Sequence, residues 1–244
     1  MALTLLPPKT ELPQERAVQE DIRIPVRLPD MFVLFLSEVP AVNPHYATAR
    51  KESEAWFVKE CSFGERAKKV LTKTDFSYFC AIAAPNAAPE ELRTVCDWGN
   101  WVFPFDDKFD NGGLKDDPEQ AQALVGSLLA GMVEDNPVQG NDPLVQVYNS
   151  VWRRVAKNSP PGVARRFAKA MSDYCNGTLE QVRHCSVGTY PSLEEMLALR
   201  RQSAGVSPLF ALVEYAHKLN IPDCAFENKS IRELERLGID FVLL

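Results

Sequence analysis

Apolar positions recur every three or four residues through most of the chain, as a helix with one buried face requires. In VARRFAKAMSDYCNGTLEQVRHC the residues Val163, Phe167, Met171 and Tyr174 keep that spacing, a stripe that reads as core before it reads as a cofactor site. The pattern predicts helices at Pro44 to Cys61, Gly64 to Ala84, Pro89 to Asp110, Pro118 to Glu134, Pro143 to Lys157, Pro161 to Cys185, Ser192 to Leu219 with a break, and Ser230 to the end. Proline stands near the start of most of them, where its missing N–H costs least. The joints at Asn158 to Pro160 and Asn220 to Asp223 are short, which implies antiparallel neighbours. Alternating β-branched runs and internal repeats are both lacking, so the fold class is all-α, a helical bundle. Residues 1–30, rich in proline and charge and ending near IRIPVRLPD, are expected to form an extended arm ahead of a domain at 31–244.

Composition narrows the classes of function. A chain of 244 residues with 45% hydrophobic content can bury one large core, and its 25% charged fraction is that of an ordinary globular protein. The net charge of -6 argues against unspecific attachment to nucleic acid or to an anionic membrane surface. Six cysteines are scattered without a CxxC pair, which suggests reduced core thiols and a cytoplasmic location. The N-terminus lacks a basic stretch ahead of its short apolar run, and no segment approaches the roughly 18 apolar residues of a membrane span.

The chemistry concentrates in WGNWVFPFDDKFDNGG, from Trp98 to Gly113. On a helix Asp106 and Asp110 lie one turn apart and Asp107 three residues before Asp110, so the three carboxylates can share an edge while Lys108 points elsewhere. Such an edge repels itself, and a hard cation such as Mg²⁺ relieves the repulsion with carboxylate, water and phosphate oxygens. Trp98, Trp101, Phe103 and Phe105 place aromatic bulk beneath that rim. A metal above an apolar pocket is what an isoprenyl diphosphate needs, because its tail must be desolvated and its head group neutralised. The alternative is plain: Pro104 breaks the helix, Asp106 or Asp107 caps a new turn, and the remaining acids are solvated.

Several segments in colinear order resemble the fungal, basidiomycete-type sesquiterpene synthases of the class I terpene cyclase family. They are NPHY at Asn43 to Tyr46, ESEAWF at Glu52 to Phe57, DFSYFCAIAAP at Asp75 to Pro85, ELRTVCDWGNWVFPFDDKFDNG at Glu91 to Gly112, and LRRQSAGVSPLFALVEY at Leu199 to Tyr215. The resemblance implies Asp106 as principal ligand of Mg²⁺, Asp110 as the close of the motif and Asp107 as the lesser participant. It implies Arg201 as the diphosphate-sensing arginine and Gly205 as the glycine of a helix break whose carbonyl faces the substrate, with Ala204 between. Independently, Ser203, Ala204, Gly205 and Pro208 lie close enough to interrupt a helix and free backbone carbonyls, and a guanidinium can grip diphosphate with parallel hydrogen bonds. Without the resemblance, Arg200 and Arg201 read as solvated helix charges and Gly205 as a close helix contact. Arg183 and His184 could reach the same head group or end a helix in solvent, and His45 reads as structural.

The implied reaction is ionisation of farnesyl diphosphate and cyclisation of the allylic cation against aromatic walls, with Phe79, Phe103 and Phe105 as candidate lining. The resemblance also implies an Asn/Ser/Glu motif for a third Mg²⁺ and a later Arg-Tyr pair. Neither follows in this chain, whose sequence stops at GIDFVLL, so the expectation is a bundle lacking its last helices. The alternative reading is an inactive remnant that at most binds diphosphate or a partner. A chain-elongating prenyltransferase would carry a second Asp-rich motif on a later helix, and Asp116-Asp117 lies too close to serve.

Overall fold

The computed structural model describes residues 37–133, 141–189 and 191–243, with positions 27, 30 and 33. Its contacts separate Met1–Val39 from Pro40–Leu244, and the helices described below belong to the second unit. The arm expected at 1–30 lies almost wholly outside the described residues.

Eleven helices and no strand occur among the described residues: α1 Tyr46–Glu60, α2 Glu65–Thr74, α3 Phe76–Ala83, α4 Pro89–Asp110, α5 Pro118–Ala130, α6 Pro143–Asn158, α7 Pro161–Val187, α8 Leu193–Ser203, α9 Val206–Ala216, α10 Asp223–Glu227 and α11 Lys229–Leu243. Proline occupies the first turn of α4, α5, α6 and α7. Asp117 and Asp142 add side-chain caps to α5 and α6, and Ser192 with Glu195 forms a capping box on α8. Pro104 sits inside α4 without ending it, so the capped-turn alternative for the aspartates is set aside.

The single helix expected over Gly64 to Ala84 is two. Asp75 adopts a left-handed conformation (φ 52°, ψ 52°) between α2 and α3 and accepts the Tyr78 amide. Its carboxylate also receives Arg50 Nη1 at 2.6 Å and the Tyr46 hydroxyl, so a tertiary clamp from α1 holds the break. The NPHY segment is structural in the same region. Asn43 is buried and donates to the carbonyls of Ala84 and Ala87 at 2.8 and 2.9 Å, closing the loop after α3.

Helix α4 runs through the middle of the bundle, packed on α1, α3, α6 and α9. Trp101, Phe105 and Phe109 form a ladder along it, with ring centroids 4.6 and 4.9 Å apart, and Tyr148, Phe167 and Tyr174 close that ladder from α6 and α7. Below the ladder Asp97, 1% exposed, is neutralised by Arg93 and Arg154, each 2.8 Å away. All six cysteines are free, but Cys185 and Cys224 are exposed, which corrects the expectation that every thiol lies in the core. No helix among the described residues is long and apolar enough to cross a membrane.

Candidate functional site

The acidic end of α4 meets α7, and two glycines shape the backbone nearby. Gly177 on α7 lies against α8, and a Cβ there would come within 2.7 Å of the Gln202 side chain and 2.9 Å of the Ser203 amide nitrogen. Gly205, between α8 and α9, has φ +69°, a left-handed conformation that glycine adopts at no steric cost. Space does not demand this second glycine, since an added Cβ would meet only ordinary contacts from Val102 and Tyr174. Pro208 offers no N–H to the Ala204 carbonyl four residues earlier, and no backbone hydrogen bond outside the helices reaches the carbonyl of Ala204 or Gly205 among the described residues.

The break opens onto a cavity of about 130 Å³ that Asp106 also lines. Its apolar wall comes from Phe79, Trp98, Val102, Phe103, Leu209 and Val242. The structure therefore joins Asp106, Gly205, Phe79 and Phe103 on one cavity. Phe105 is not part of that wall. It is fully buried in the ladder, which corrects its expected lining role.

Asp106 is half-buried and accepts the Tyr174 hydroxyl at 2.9 Å. Burial, reinforced by Asp110 and more weakly by Asp107, pushes its carboxyl up to about 6 against the pull of Tyr174 and Arg200. Asp110 accepts Gln181 Nε2 at 2.6 Å, also from α7. Asp110 does not line that cavity, and neither does Asp107. It accepts Asn111 and lines a separate groove of about 690 Å³ with Arg66, Phe76, Phe103 and Pro104. Lys108 pairs with Asp142 at 3.0 Å and leaves the aspartate edge as expected.

Arg201 is already engaged. Its Nε and Nη2 donate to the two oxygens of Asp240 on α11 at 2.6 and 3.1 Å, and Arg236 binds the same carboxylate. Arg200 stands nearer the aspartates, with Nη1 3.4 Å from Gln181 Oε1. It lines a groove of about 430 Å³ with Lys115 and His184, whereas Arg183 pairs with Glu180 away from the site.

No group of three or more carboxylate, histidine or cysteine side chains among the described residues could hold a metal unaided. The donor set nevertheless fits a hard cation. Asp106 and Asp110 offer only oxygen, and the repulsion from Asp110 that adds to burial in raising Asp106 is what a divalent ion removes. Remaining positions on such an ion would go to water and to a ligand's own oxygens, the usual arrangement for Mg²⁺.

Sequence reasoning missed Tyr174 and Gln181 as site residues. Tyr174 lay in the stripe read as core; the signal available was that a buried tyrosine hydroxyl needs a partner. Gln181 carried no signal, because amides on helix faces are common.

The chain is 39% identical over 227 residues to silphinene synthase peniA of Penicillium patulum, covering 90% of this chain and 61% of that protein. It is 33% identical to (+)-eremophilene synthase of Gibberella fujikuroi, covering 88% of this chain and 61% of that one. Among solved structures, the SVS_A2 protein from ancestral sequence reconstruction superposes with a TM-score of 0.77 at 29% identity, over 82% of this chain and 62% of that one. The chain thus spans about three fifths of the length of the curated relatives it matches. Residues 97–244, which include the aspartate edge and the helix break, match the family described as terpene synthase family 2, C-terminal metal binding, and the chain belongs to that family.

Proposed function

We propose that the chain serves a sesquiterpene synthase reaction, the Mg²⁺-dependent ionisation and cyclisation of farnesyl diphosphate with release of diphosphate. One observation carries this reading: a single apolar cavity has Asp106 at its rim and the Ala204–Gly205 break in its wall. Asp106 and Asp110 would hold the cation, with Asp107 in the lesser part its separate groove leaves it. Bound there, Mg²⁺ would supply the positive charge that stabilises a departing diphosphate.

This chain's own groups do the rest. Arg201 has a planar fork already shaped for two parallel oxygens by Asp240, and diphosphate would compete for that fork. The carbonyls of Ala204 and Gly205 would offer negative ends to a developing carbocation, and the rings of Phe79 and Phe103 on the same cavity would add to them. At about 130 Å³ the cavity is below the roughly 300 Å³ at which drug-sized pockets begin. Phe103 also lines the larger neighbouring groove and stacks on Phe76 there, so its movement would lengthen the space for an isoprenyl tail. The free cysteines support a reducing compartment, the cytosol.

A second reading, binding of diphosphate without turnover, is favoured by the engagement of Arg201 with Asp240. Mass-spectrometric analysis of volatile products from chain, Mg²⁺ and farnesyl diphosphate separates the two. Terpene products above the protein-free control support the synthase. Calorimetric binding of pyrophosphate with no product supports the second reading, and absence of both rejects each.

A further inference from the structure

The two aspartates are both grasped from one face of α7. Tyr174 and Gln181 lie seven residues apart, about two turns, and Gly177 between them is where α8 approaches. The Tyr174 hydroxyl donates to Oδ1 of Asp106 at 2.9 Å, and Gln181 Nε2 donates to Oδ1 of Asp110 at 2.6 Å. Neither Oδ2 is hydrogen-bonded by another described side chain. The far end of the Gln181 amide faces α8, where its Oε1 accepts Ser203 Oγ at 3.2 Å and Arg200 Nη1 at 3.4 Å. That orientation is chemically determined, since a carboxylate can only accept and a guanidinium can only donate.

We propose that Tyr174 and Gln181 are positioning residues for cation binding: they hold Oδ1 of Asp106 and Asp110 so that the two Oδ2 atoms face one cation, and Gln181 ties that pair to the helix break. The tie makes cation and diphosphate binding interdependent, because an anion drawing on Arg200 and an ion drawing on Asp110 act on the same amide. Groups of this kind commonly govern metal affinity without touching the metal, by fixing the direction of the ligand oxygens. This inference rests on the reading of the site as a cation-dependent diphosphate site.

Calorimetric titration of Mg²⁺ into the chain with inorganic pyrophosphate present, paired with thermal unfolding of the ligand-free chain, tests it. Tyr174→Phe and Gln181→Leu are each expected to weaken cation affinity by about tenfold or more, while the ligand-free midpoint shifts no further than in the Tyr148→Phe control. Tyr148→Phe is the control, because that buried hydroxyl bonds Met132 Sδ away from the aspartates. It is expected to shift the midpoint and leave cation affinity alone. Variants that bind within about twofold of the unsubstituted chain, or whose affinity falls only in step with their midpoint, overturn the inference while leaving the site reading intact. Failure of the unsubstituted chain to bind pyrophosphate with Mg²⁺ overturns both.

Discussion

At the scale of the residue, Asp106 joins a cost in stability to the site's chemistry. Its carboxyl is raised to about 6, chiefly by burial and next by Asp110, so the fold favours the protonated form. The stability this costs appears as pH rises from the ordinary aspartate range near 4 through about 6, and is absent below it. Asp106→Asn is therefore expected to raise the thermal midpoint of the cation-free chain at pH 7 and leave it little changed at pH 4. Unfolding scans at both values check this, and a lowered midpoint at pH 7 contradicts it. Asp106→Asn should also weaken Mg²⁺-dependent pyrophosphate binding more than Asp107→Asn, because Asp107 lines a different groove. Equal losses in calorimetry would overturn that ranking. The three aspartates were legible in the sequence as a motif, but the divergence of Asp107 was not. Spacing allows a common edge, whereas placement depends on the Asn111 contact and on which cavities flank α4.

At the scale of the element, the helices begun by proline were readable because the signal is local: Pro89, Pro118, Pro143 and Pro161 each start a helix where the sequence places one. The break at Asp75 was not, because Arg50 and Tyr46 enforce it from another helix. The short α10 was not legible either: it begins at Asp223, the end of the connection read from the sequence, and the residues from there to Ser230 carry no helical pattern. Gly177 shows the same limit, since its need for no side chain arises only where α8 lies against α7. Gly177→Ala is expected to cost about 1–3 kcal/mol by overpacking, measured by denaturant unfolding. A neutral result would mean that the helices can part without loss. The Arg201–Asp240 pair joins α8 to α11, and the Arg201 hydrogen bond holds the Asp240 carboxyl below its ordinary value. A depressed carboxylate contributes stability above its unfolded value near 4 and loses it as pH falls through the lower folded value. Asp240→Asn should accordingly speed amide hydrogen exchange in α11 at neutral pH, and unchanged exchange would show that apolar packing alone holds that helix.

At the scale of the whole molecule, hydrophobic periodicity specified an all-helical bundle, and the colinear motifs specified its family, both of which the comparisons with known proteins support. What stayed illegible is how the parts converge: Asp106, Gly205 and Phe79 come from separate elements and meet only through packing. The central claim is that this convergence makes a site for diphosphate that works through a divalent cation. The most direct measurement is calorimetric titration of inorganic pyrophosphate into the chain with and without Mg²⁺, repeated on Asp106→Asn. The account predicts binding that requires Mg²⁺ and is lost in the variant. Binding of equal strength without Mg²⁺, or undiminished in Asp106→Asn, would contradict it.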